Sequence, residues 1–163
     1  MTITVAAESQ LGIIQNLAKA IWPEAYGAIL SQEQLDYMMN MMYSDNSLSN
    51  QLRNKNVFLL AKIDTDFIGF ASYELNYDES NYTKIHKLYV LPEIQGKGVG
   101  KELINYIQEN ANKNSNSALI LNVNKYNKAK DFYLHNQFEI ADSVVVEIGN
   151  GYVMDDFIMK KNI

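Results

Sequence analysis

The chain contains no cysteine, which excludes disulfides, a thiol nucleophile and thiolate metal ligands. Its two histidines, His86 and His135, lack the paired spacing of a metal site, so no metal is expected. Proline is scarce: Pro23 and Pro92 are the only two, and there is no linker-like tract and no internal repeat. The 163 residues therefore read as a single domain, 1–163, long enough to bury a core. Apolar runs never reach the length of a transmembrane helix. The start, Met1 to Val5, lacks the basic flank and apolar stretch of a secretion signal and reads as a first strand. A cytoplasmic protein with no membrane partner is the expectation. A basic excess is also missing. Nineteen acidic residues outnumber 14 basic ones, giving a net charge of −5, and the Lys and Arg residues are scattered, which argues against nucleic acid as a partner. The acidic balance suits plain solubility, and it is compatible with attracting a cationic amine.

What is present is strong hydrophobic patterning. Leu11, Ile14, Leu17, Ala18 and Ile21 recur at helical spacing and predict a helix ending near Trp22-Pro23. Ser31 with Gln34 has the capping-box form and opens a second helix. Its stripe of Leu35, Met38, Met39 and Met42 could line a substrate tunnel, although core packing is the commoner role. The stretches 44–47 and 112–117 read as polar breaks. Strand-like runs follow at 57–61, 67–71 and 85–90, with a short turn at Asp64-Thr65-Asp66. Then come a helix with Val99, Leu103, Tyr106 or Ile107, and Ala111 on one face, a strand at 118–123, and a helix capped by Asn127. A final hairpin, 138–148 and 152–159, turns around Gly149-Asn150-Gly151. This order predicts an α/β fold: a mixed, mostly antiparallel twisted sheet with helices on both faces.

The segment from Leu88 to Gly100 carries the chemistry. A strand leads into a turn set by Pro92, then Gln95-Gly96-Lys97-Gly98-Val99-Gly100, then a helix. Glycines let a ligand approach the backbone, and the free N–H groups of a helix's first turn make an anion site. The Walker phosphate loop is absent, because Gly96-Lys97 is followed by Gly98 and position 91 is Leu. The dinucleotide fingerprint fails too, since the glycines alternate.

Gln95-x-x-Gly98-x-Gly100, after a strand ending Leu88-Tyr89-Val90 and opening a helix, resembles the acetyl-CoA signature of the GCN5-related N-acetyltransferase (GNAT) family. The element order is also similar, and Asn127 to Tyr133 followed by Phe138 resembles the family's second cofactor segment. The resemblance implies the acyl-CoA N-acyltransferase fold, acetyl-CoA as donor and an amine as acceptor. It also implies a V-shaped split between the strand ending at Val90 and the strand 118–123. Main-chain groups of Leu88 and Val90 would pair with the pantetheine arm, and amides of Gln95, Gly96, Lys97, Gly98, Val99, Gly100 and Lys101 would cradle the pyrophosphate. Asn127 would contact the arm and Tyr133 would sit near the sulfur. One departure is Gln137, where the family has glycine; Asn136 is the residue expected to take the left-handed turn. A homodimer through edge strands is compatible with the resemblance.

An amine like that of lysine has a pKa of about 10.4, so freeing its lone pair near neutral pH costs about 4–5 kcal/mol. A proton acceptor is therefore required. By the resemblance, the Val90 N–H stabilises the oxyanion and Tyr133 is the general acid for the departing thiolate. Four residues compete as base: His86, Glu74, Asp155 and Asp156. Strand alternation would put His86, Leu88 and Val90 on one face and Lys87 and Tyr89 on the other. His135 reads as a surface residue at a helix end. The acceptor would be a small amine, polyamine-like in character. The alternatives are a protein or peptide amine, or a non-catalytic acetyl-CoA sensor.

Overall fold

The computed structural model describes residues 1–163. Seven strands form one sheet: β1 Thr2–Val5, β2 Val57–Ile63, β3 Asp66–Glu74, β4 Tyr82–Val90, β5 Ala118–Asn124, β6 Glu139–Gly149 and β7 Tyr152–Asn162. Their order is β1-β2-β3-β4-β5-β7-β6, and the only parallel pair is β4 with β5. Helices cover both faces. On one lie α1 Leu11–Tyr26, α2 Gln32–Tyr43 and α3 Asp45–Arg53, packed on Phe58, Leu60 and Phe70. On the other lie α4 Val99–Lys113 and α5 Ala129–His135, packed on Leu59, Ala61, Leu119 and Leu121. Strand β2 is apolar at successive positions because both of its faces are covered.

Three local expectations are corrected. Helix α1 does not stop at Pro23 but continues to Tyr26, because Trp22 and Tyr26 extend its buried stripe and that burial outweighs the lost hydrogen bond. The stretch 44–47 is not a plain break. Ser44 ends α2 and its side chain accepts from the Ser47 N–H, starting α3, whose Leu48 is fully buried. The predicted alternation in β4 holds for Lys87 to Val90 and fails at His86. The β3–β4 register slips between Ser72 and Tyr73, which pair with Lys87 and Ile85 and leave His86 as the extra residue of a bulge. Ile85, Leu88 and Val90 consequently all pack on the α4 side, while Lys87 and Tyr89 face the α1–α3 side.

Candidate active site

The bulge stands where the sheet opens. β4 and β5 pair from Tyr82↔Ala118 to Ile85↔Leu121 and no further, so from His86 onward the strands diverge. A cavity of about 720 Å³ fills the gap, bounded by β4, β5, the glycine loop, α5 and the end of α1. The Leu91 N–H bonds to Ile68 of β3 at 2.9 Å. Main-chain groups alternate along a strand, so those of Leu88 and Val90 point away from β3 into the gap. Gln95 Nε2 donates to the Val90 carbonyl at 3.2 Å and ties the loop to this edge.

The loop closes the cavity on the α4 side. Pro92–Ile94 forms a single tight turn, and the amides of Gln95 and Lys97 bond back to Pro92 and Ile94. Gly98 caps α4 with φ of +85°, a left-handed angle that any side chain strains. The amides of Gly96, Gly98, Val99, Gly100 and Lys101 have no backbone acceptor within the chain, which leaves five donors at a helix N-terminus. A Cβ on Gly100 would come within 2.9 Å of the Phe132 ring, so this glycine lets α4 and α5 approach.

Across the gap, Asn127 Oδ1 accepts the Ala129 N–H at 2.8 Å and starts α5, and the residue lines the cavity. Tyr133, buried between Phe132 and Phe138, lines the same cavity, and its hydroxyl makes no hydrogen bond within the chain. Burial, helped by the neighbouring Tyr26, raises its pKa, so it remains a protonated phenol. The left-handed turn after α5 is taken by Gln137 itself, φ +69°, not by Asn136, whose amide is occupied with the Phe132 carbonyl at 2.8 Å.

The α1–α3 side of the gap is aromatic, and carboxylates of β3 and β7 stand near it. Tyr26 and Tyr89 hydroxyls lie 2.9 Å apart, backed by Trp22, whose indole N–H donates to Tyr43. Glu74 holds His86 at 3.2 Å; burial lowers the histidine's pKa, the Glu74 bond opposing, and 25% of its side chain stays accessible. Asp155 is ion-paired with Lys125 at 2.6 Å. Asp156 is only 7% exposed, and burial pushes its carboxyl upward. Lys84 bonds Asn122, and Asn122 reaches towards Asp156. His135 is exposed at the end of α5. No cluster of three His, Asp or Glu side chains could hold a metal.

Tyr26, Lys84 and Asn122 carry no local signal in the sequence that marks them as site residues. Tyr26 was hidden by the early stop assigned to α1, and the other two join the site only through strand pairing.

The model of the acetyltransferase (GNAT) family matches residues 13–138. Over 151 residues the chain is 28% identical to a spermidine N(1)-acetyltransferase of Thermoplasma acidophilum, covering 89% of this chain and 86% of that protein. It is 31% identical over 86 residues to an uncharacterized N-acetyltransferase of Archaeoglobus fulgidus, covering 50% of this chain and 58% of the relative. Among solved structures, a PaiA N-acetyltransferase from Thermoplasma acidophilum in complex with coenzyme A superposes with a TM-score of 0.81 at 26% identity, each chain covered completely. A GCN5-related N-acetyltransferase from Rhodopseudomonas palustris has a TM-score of 0.84 at 19% identity, covering 99% of this chain and 95% of its own.

Proposed function

The chain belongs to the acetyltransferase (GNAT) family, and from that membership we propose that it moves the acetyl group of acetyl-CoA onto a primary amine of a small, polyamine-like molecule. Acetyl-CoA is the donor. The observation that carries the reading is the gap between β4 and β5. It runs from the unpaired amides at the start of α4 to an aromatic pocket on the α1–α3 side. A pyrophosphate fits the first end because a helix N-terminus favours an anion. The extended pantetheine arm fits the bare main chain of Leu88 and Val90 as an added strand would.

In this reading, donor and acceptor are bound together and the amine attacks directly. Holding both reactants in the gap supplies the orientation. The Val90 N–H stabilises the oxyanion, Asn127 steadies the arm, and Tyr133 protonates the thiolate as it leaves. The small-amine choice is supported by the spermidine-acetylating relative and by Glu24, which adds a carboxylate to the mouth of the cavity. One sheet running from Thr2 to Asn162 supports treating 1–163 as one catalytic unit. No helix is long and apolar enough to cross a membrane. The need for acetyl-CoA supports a cytoplasmic setting.

An acceptor screen with mass detection tests this directly. Acetylation of linear di- and triamines is expected. Activity on peptides alone moves the acceptor to a protein amine, and inactivity towards every amine despite acetyl-CoA binding sinks the catalytic reading.

A further inference from the structure

Resting on that reading, we propose that Asp156 is the proton sink for the acceptor amine, acting through Tyr26 on the α1–α3 side of the gap. The first ground is an unsatisfied atom. Asp156 is buried, its Oδ1 has no hydrogen-bond partner, and its Oδ2 has only Asn122 Nδ2 at 3.5 Å. A buried carboxylate oxygen without a donor is costly and uncommon, so its retention calls for a reason.

The second ground is position. Asp156 pairs with Asn124 of β5 and therefore shares its face, which is also the face of Asn122. Asn122 and Tyr26 both line the cavity, and the Asn122 amide, 3.5 Å from Asp156 Oδ2, joins that lining to the carboxylate. The donor enters from the α4 side, so the acceptor comes from the face where Asp156 lies.

The third ground is the state of its rivals. Asp155 is engaged by Lys125. Glu74 and His86 are engaged with each other, and Tyr77 packs edge-on against the imidazole at 5.7 Å. The charged and titratable groups facing Asp156 are Lys84 from β4, Lys125 after β5, Asp155 beside it and Tyr26 from α1, while β6 presents Val144. Lys84 is turned to Asn122. Burial raises Asp156 towards the working pH, which improves a proton acceptor.

The step balances. The ammonium gives one proton to Tyr26 as Tyr26 passes its own to Asp156, directly or through one water. The nitrogen lone pair forms the C–N bond to the thioester carbonyl. On collapse the C–S bond breaks, the sulfur takes a proton from Tyr133, and the nitrogen's second proton restores that phenol. Asp156 then releases its proton to solvent.

The test compares wild type, Asp156→Asn, Asp156→Glu and Tyr26→Phe as full-length proteins, with acetyl-CoA and spermidine across pH 6–10. Asp156→Asn is expected to lower kcat by about 10²-fold near pH 7 with unchanged acetyl-CoA affinity. The deficit should shrink as pH approaches about 10, where the amine frees itself. Tyr26→Phe should show the same pH-dependent loss, and Asp156→Glu should recover part of the activity. Asp156→Asn should melt no lower than wild type, because it relieves an unsatisfied charge. A deficit independent of pH, no deficit, or a lowered melting temperature each overturns the proposal. The melting comparison stands even if the wild type acetylates no amine, so failure here is distinct from failure of the proposed function.

Discussion

Two buried side chains set opposite demands on a proton. Tyr133 is held as a phenol by burial and meets the cavity with a free hydroxyl. Tyr133→Phe is expected to lower kcat by about 10–10²-fold while leaving the dissociation constant of acetyl-CoA unchanged, as measured by steady-state kinetics and calorimetry. Lys87 is 8% exposed and lies against the rings of Tyr43 and Phe58 with Gln51 as its hydrogen-bond acceptor and no carboxylate partner. Burial lowers its pKa from 10.5 to about 8. The folded state thus binds fewer protons than the unfolded state between about pH 8 and 10.5, so this residue makes stability rise with pH across that window. Below it the buried charge costs up to about 3 kcal/mol. Lys87→Met should therefore be more stable than wild type in urea at pH 7, with the gap narrowing as pH rises from 8 towards 10.

At the scale of elements, the loop and α4 gather their unpaired amides at one place, and that arrangement depends on contact with α5. Gly100→Ala would drive its methyl group towards the Phe132 ring. It should cost about 1–3 kcal/mol and weaken acetyl-CoA binding, and adding Phe132→Leu should restore part of both, read by denaturation and binding. This loop was legible in the sequence because glycine spacing and a helix start are local features. The β4 bulge was not. It comes from the pairing of Ser72 and Tyr73 with Lys87 and Ile85, and it decides which side chains of β4 face the α1–α3 side. The end of α1 is not legible for a similar reason: Pro23 is a local stop signal, and the burial of Tyr26 that overrides it is not local.

For the whole molecule, the gap in the sheet couples folding to the donor. Acetyl-CoA at 100 times its dissociation constant should add about 2.7 kcal/mol of stability. For a chain of this size that raises the melting temperature by about 5–10 °C, observable by thermal shift. The net charge of −5 acts at the same scale. For a polyamine acceptor, kcat/KM should fall as salt rises from 0.01 to 0.15 M, because the Debye length contracts from about 30 to 8 Å.

The amino-acid sequence by itself determined the donor end of this protein. The strand, turn, glycines and helix proposed to meet the pyrophosphate are consecutive, and their chemistry lies in local angles and unpaired amides. Tertiary structure alone decided the acceptor end. Tyr26, His86, Asn122 and Asp156 come from α1, β4, β5 and β7, and which of them carries an unsatisfied oxygen depends on strand register and on the neighbours that register supplies.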